Sequence, residues 1–174
     1  MQLQPPATLW TIGYSTHSID EFLDILAAHV ITRIADVRRF PGSRAHPQFN
    51  PEALAASLAE RGIAFTPMPL LGGRRKPRPD SPHVAWRNES FRGYADYMDT
   101  PAFAAAADEL AALARADHVA AMCAEGVWWR CHRSMIADYF KVNGWTVLHI
   151  LGLGEAKEHP YTAVAKVAGG RLAY

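Results

Sequence analysis

Cysteine is scarce: the 174 residues hold two, too few for the disulfide framework of a small secreted domain. The plain expectation is a cytoplasmic protein with reduced thiols. Net charge is also nearly absent, at +1 with histidine neutral. That excludes coating of nucleic acid by bulk positive charge, though not a local basic patch. No stretch is long and apolar enough to span a bilayer, and the opening Met1-Gln-Leu-Gln-Pro-Pro6 lacks the charged-then-apolar order of a secretory signal. Neither a membrane anchor nor a membrane partner is expected. No internal repeat and no linker breaks the chain, so it reads as a single domain over 1–174.

What is present suits a folded core, since 49% of residues are apolar. Leu9 to Gly13 reads as a strand stopped by glycine. Ser18 reads as a helix N-cap, with Glu21 completing a capping box and Phe22, Leu23, Ile25, Leu26 and Val30 at helical spacing. Ile31 to Val37 reads as a buried strand. A helix opens at Asn50-Pro51 and stops at Gly62, burying Leu54 and Leu58. Ile63 to Met68 follows as a strand. The stretch from Gly72 to Arg87 carries Arg74, Arg75, Lys76 and Arg78 among Pro77, Pro79 and Pro82, and is expected to be irregular. Phe91–Met98 and Pro101–Ala114 read as helices, His118–Cys123 as a strand, Cys131–Asn143 as a helix capped by Gly144, and Thr146–Leu151 as a strand. The tail from Tyr161 fits neither pattern clearly. This alternation predicts an α/β fold in three layers, with a mostly parallel central sheet and helices on both faces. Ligands of such sheets bind beyond the C-terminal strand ends.

Polar segments fall at those ends. The richest is Cys123-Ala-Glu-Gly-Val-Trp-Trp-Arg-Cys-His-Arg133. A helix N-terminus beside Arg130 and Arg133 can lower a thiol pKa and hold an anion. Cys123 is the candidate nucleophile, with Glu125 or His132 as acid or base. Both cysteines can equally be small packing residues. Asp36-Val-Arg-Arg-Phe-Pro-Gly-Ser-Arg44 offers Arg38, Arg39 and Arg44 as clamps for a carboxylate or phosphate. There Asp36 either orients a base or merely pairs with an arginine. In Gly13 to His17, Ser15 and His17 either bond a ligand or cap the helix. Arg74 belongs to a basic loop that is either an anion gate or simply solvated. Arg92 and Tyr94 can line a pocket, whereas Tyr97 suits packing. His29, His118 and His149 lie on apolar stretches and read as core or surface residues. No cofactor and no metal site is expected. Cys131 and His132, adjacent on a helix, would point about 100° apart, and no second paired ligand motif exists.

Several motifs occur in a fixed order. They are Thr11-Ile-Gly-Tyr-Ser15, Asp36-Val-Arg38 with Pro41 and Ser43-Arg44, Pro47-Gln-Phe49, Leu71-Gly-Gly-Arg74, Phe91-Arg-Gly-Tyr94, and Met122-Cys-Ala-Glu125 with Arg130-Cys-His-Arg133. Together they resemble the domain of unknown function 488 family of prokaryotic proteins, over about residues 8–151. The resemblance implies the fold and the location of the site, and no reaction. A weaker likeness is to rhodanese-like and cysteine-phosphatase domains, where a strand ends in cysteine, an anion-binding loop follows and a helix begins. Six residues separate Cys123 from Arg130, one more than in the phosphatase signature. Glu125 inside the loop would also repel phosphate.

Two functions follow as expectations. The first is an enzyme acting on an anionic substrate that contains a phosphate or nucleotide, with Cys123 as nucleophile and Arg38, Arg130 and Arg133 holding the anion. In a variant of it, Asp36 and Glu125 act as paired carboxylates, as in cleavage of a glycosidic bond. The second is a non-catalytic module that binds a nucleic-acid component or a phosphorylated ligand through the basic loop, Tyr94 and the Trp128-Trp129 pair.

Overall fold

The computed structural model describes residues 6–174, and the opening Met1 to Pro5 lies outside them. Five parallel strands form the sheet: β1 (Thr8–Gly13), β2 (Arg33–Asp36), β3 (Ala64–Pro67), β4 (Val119–Cys123) and β5 (Thr146–Ile150). A short β6 (Lys157–Glu158) adds antiparallel to β5, giving the order β3-β2-β4-β1-β5-β6. The ambiguous tail folds as a hairpin of β7 (Lys166–Ala168) and β8 (Arg171–Ala173).

Helices α1 (Ile19–Ala28) and α2 (Pro51–Glu60) cover one face of the sheet. There Phe22, Leu26, Leu54 and Leu58 pack on Ile12, Ile34, Ala120 and Met122. Helices α3 (Glu89–Met98), α4 (Pro101–Ala116) and α5 (Arg133–Val142) cover the other. There Tyr94, Phe103, Leu110 and Ile136 pack on Leu9, Ala35, Ala121 and Cys123. The fold is therefore a three-layer α/β arrangement. Leu54 and Leu58 are wholly buried, and each such side chain contributes about 2 kcal/mol by leaving water.

Local chemistry sets the helix ends. The Ser18 hydroxyl accepts the Glu21 N–H at 3.1 Å, as an N-cap should. The Glu21 carboxylate does not complete the capping box. It turns instead to the Ser18 hydroxyl and to His17 Nδ1, each at 3.2 Å. Val30 departs from the expected apolar stripe: α1 ends at Ala28 with His29 as its C-cap, and Val30 sits exposed at a left-handed φ of 55°. The basic stretch from Gly72 to Arg87 has no regular structure beyond the short turn at Pro69–Leu71 that precedes it. The fifth helix begins two residues later than the sequence pattern suggests, at Arg133, because Cys131 is extended (φ −134°, ψ 152°).

Candidate functional site

Strands β1 and β4 are neighbours, with Gly13 paired to Cys123. Beyond β1 the chain crosses to α1 on one face, and beyond β4 it crosses to α5 on the other. A crevice opens where neighbouring connections diverge in this way. A cavity of about 630 Å³ lies there, within the usual range for small-molecule sites. Its walls come from Tyr14 to Thr16, from Arg38 to Ser43 with His46, from Gly73 and Arg74, from Phe91 and Tyr94 of α3, and from Cys123 to Gly126 with Arg130 to His132. The three polar strand-end segments thus meet in one cavity.

Two thiols lie on its floor, with one guanidinium beneath them. Cys123 Sγ and Cys131 Sγ lie 2.9 Å apart, unbonded. Arg133, only 1% exposed, donates from Nε to Cys123 Sγ at 2.9 Å, from Nη1 to the Thr11 hydroxyl at 3.1 Å and from Nη2 to the Glu125 carbonyl at 2.6 Å. None of these partners is a carboxylate. Burying an arginine without a counter-charge is very costly, and the sulfur pair is what can supply the charge, by giving up one proton. The hydrogen bond from Cys123, and then the charge of Arg133, lower the Cys131 pKa to about 7 against the opposing effect of burial. Burial and the neighbouring sulfur raise that of Cys123 well above its ordinary value. Cys131 is therefore the more acidic thiol of the pair and Cys123 the less acidic one.

His132 adds a base. Its Nε2 lies 2.9 Å from the Val37 carbonyl, which can only accept, so Nε2 carries the hydrogen. Burial lowers the His132 pKa, which leaves Nδ1 bare, 3.4 Å from Cys131 Sγ. The expected divergence of Cys131 and His132 does not occur, because both precede the helix proper. The backbone N–H of Arg133, in the first turn of α5, also points at Cys131 Sγ, at 3.5 Å.

The other sequence candidates divide clearly. Asp36 and Arg38 form a buried bidentate pair, with Nε to Oδ1 and Nη2 to Oδ2 both at 2.8 Å. Arg38 Nη1 and Nη2 are further spent on the carbonyls of Pro41 and Phe49. Arg38 borders the cavity with its donors already engaged, and Asp36 lies outside it. The paired-carboxylate arrangement of Asp36 with Glu125 is accordingly not assembled. Glu125, Arg130 and Arg74 are exposed on the cavity rim. Ser15 lines the wall, its backbone N–H bound to the Ala124 carbonyl at 2.9 Å. Tyr94 is fully buried and donates to the Leu71 carbonyl at 2.8 Å. His17, Arg44 and Arg92 do not line the cavity. His17 bonds Glu21 at 3.2 Å, and Arg92 reaches only the Trp86 carbonyl, at 3.4 Å. Arg133 sits beneath the cavity and braces the loop, so it is not free to hold an anion.

A family model described as Domain of unknown function DUF488 matches residues 18–140. The chain belongs to that family. No curated protein and no solved structure matches it, and the likeness to rhodanese-like and phosphatase domains gains no support. Among the described residues no group of three or more His, Cys, Asp or Glu is placed to hold a metal ion, and no described helix is long and apolar enough to cross a membrane.

This DUF488 domain also contains a buried polar chain that the sequence pattern does not announce. Thr11 Oγ1 lies 2.6 Å from His149 Nδ1, His149 Nε2 lies 2.9 Å from His159 Nδ1, and His159 Nε2 lies 2.6 Å from Asp138 Oδ1. Arg133 donates to Thr11, so these contacts join into one buried polar chain that runs from Arg133 through Thr11, His149 and His159 to Asp138. Burial, and then the neighbouring His159 and Arg133, lower the His149 pKa to about 2. Trp128 stacks on the His149 ring at 4.6 Å and seals the chain. Asp138 is further bound by the Thr162 N–H, the Thr162 hydroxyl and the Tyr174 hydroxyl. The one clue in the sequence is a polar residue inside each apolar run, which alone does not say which partners meet.

Proposed function

We propose that this domain is a cysteine-dependent enzyme for an anionic, phosphate- or nucleotide-containing substrate. The observation that carries the reading is the buried Arg133 held against Cys123 with no carboxylate partner. Such an arrangement stores a thiolate, the form of sulfur that attacks. Cys131 is the better placed nucleophile: it is 7% exposed against 3% for Cys123, and it faces His132 Nδ1. Cys123 then shares the charge. Arg130, Arg74 and Arg39 on the rim supply guanidinium groups for the substrate anion. Glu125, exposed at the mouth, is the group able to exchange a proton with a leaving group or a water.

In this scheme the Cys131 thiolate forms a bond to an electrophilic atom of the substrate, and the leaving group departs with the bonding pair and takes up a proton. Water later cleaves the thio-linked intermediate, losing its proton to Glu125 or His132 and restoring the thiolate. The test is incubation with a panel of nucleotides and phosphate esters, followed by turnover assay and mass spectrometry of the Cys131 peptide. Cys131→Ser is expected to abolish adduct and turnover, and Cys123→Ser to lower turnover at least tenfold. Turnover that survives in both variants would remove sulfur from the chemistry. Binding without turnover in the native protein would favour the non-catalytic binding module.

A further inference from the structure

A second groove of about 500 Å³ lies beside the cavity and is lined by Arg39, Arg74, Arg75, Lys76 and Arg78 with Asp96 and Tyr97. Arg39 and Arg74 border both spaces, so the two share a wall.

The basic loop is pinned rather than a loose gate. Tyr94 and Tyr97 donate to the carbonyls of Leu71 and Leu70 at 2.8 and 2.7 Å. Buried Asp96 accepts the Arg78 N–H at 2.8 Å and the Ser81 hydroxyl at 2.7 Å. Gly93 gives the loop room: a Cβ there would stand 2.2 Å from the Arg75 carbonyl oxygen. The Arg75 guanidinium lies over the Tyr97 ring, 3.7 Å from its centroid. The one acid of the groove holds the loop and stands 3.8 Å from the Arg78 guanidinium, while the side chains of Arg39, Arg74, Lys76 and Arg78 remain exposed and outnumber it. Crowding like charges on a fixed backbone is unfavourable unless a polyanion neutralises them.

At the junction stands Phe40, 60% exposed. The Arg39 guanidinium lies 5.2 Å from its centroid and that of Arg74 lies 6.0 Å away. An exposed ring flanked by guanidinium groups is the form of a base-stacking platform.

We propose that the ligand is a single-stranded nucleic acid. One base rests on Phe40, its nucleotide enters the cavity, and the flanking phosphates follow the groove of Arg75, Lys76 and Arg78. This rests on the cavity reading above and extends it from a small anion to a strand.

The test uses the full chain and a fluorescent twelve-residue oligouridylate, with uridine monophosphate and a glutamate twelve-mer as comparisons. The strand is expected to bind more tightly than the mononucleotide, with a steep salt dependence. Double substitution Lys76→Ala with Arg78→Ala is expected to flatten the slope of log affinity against log salt by about 1.4, at roughly 0.7 for each phosphate no longer neutralised. Phe40→Ala is expected to weaken the strand roughly 5- to 150-fold, the range of one missing stack. All three side chains are exposed, and circular dichroism checks that the variants fold. A strand bound no better than the mononucleotide, an unchanged salt slope, or equal binding of the glutamate peptide would each overturn the proposal. Alkylation of Cys131 reads the thiol claim separately: a reactive thiol without strand binding sinks the strand alone, and strand binding with inert thiols sinks the chemistry alone.

Discussion

Arg133 Nε lies 2.9 Å from Cys123 Sγ, so the largest fully buried side chain of the fold is a cation resting on sulfur. Arg133→Met keeps much of the volume and removes the charge. The thiolate then loses its counter-ion, and alkylation by iodoacetamide at pH 7 is expected to fall at least tenfold, since each unit of pKa is worth about 1.4 kcal/mol. Unchanged alkylation would mean that the guanidinium does not control the sulfurs.

Stability should follow the same proton. The Cys131 pKa in the fold, about 7, lies below the value of about 8.5 expected of a free thiol. A depressed acid stabilises above its unfolded pKa, and that gain fades as pH falls through the folded value. Cys123 is shifted the other way, so above the free-thiol value the unfolded chain loses a proton that the fold retains. The difference in unfolding free energy between the native chain and a Cys123→Ser, Cys131→Ser double variant should therefore rise from about pH 7 to about 8.5 and decline beyond it. Urea titrations at each pH give the curve, and a flat difference would contradict it.

The Asp36–Arg38 pair is structural by its geometry. Asp36→Asn leaves a buried guanidinium uncompensated and should cost about 3–5 kcal/mol in urea unfolding. A loss below about 1 kcal/mol would show that the pair is not what holds Arg38.

Asp138 anchors the far end of the histidine chain. Tyr174→Phe deletes one donor to this buried carboxylate, whose Oδ2 it bonds at 2.7 Å. The expected loss is about 1–3 kcal/mol, measured by thermal or urea unfolding. A neutral result would imply that water replaces the hydroxyl.

Gly13 is the tightest point of the site. A Cβ there would lie 1.7 Å from the Glu125 carbonyl oxygen and 2.9 Å from Arg133 Nη2. Gly13→Ala must push the loop off its brace, and rapid thiol alkylation at pH 7 should disappear along with at least about 3 kcal/mol of stability.

Much of the frame is legible from local pattern. Ser18, the stripe of α1, Pro51 and the alternation of strands and helices report on chain neighbours, and they place the three strand-end segments on one edge. What escapes depends on distant pairing. Cys131 reads as helical because its neighbours are, yet its backbone is extended and its sulfur meets Cys123. Arg133 reads as a ligand clamp, but all its donors turn inward. Asp36 reads as available for catalysis, but Arg38, two residues on, occupies both its oxygens. His149, His159 and Asp138 come from β5, the segment after it and α5, so no spacing along the chain announces them.

The most direct test of the thiolate is site-resolved alkylation of Cys123 and Cys131 from pH 5 to 10, quantified by mass spectrometry of their peptides in the native fold. One modification per chain, on Cys131 and with a midpoint near pH 7, is the expected result. Two thiols that both titrate at about 8.5, as free cysteines do, would contradict the acidic Cys131 thiol and the chemistry built on it.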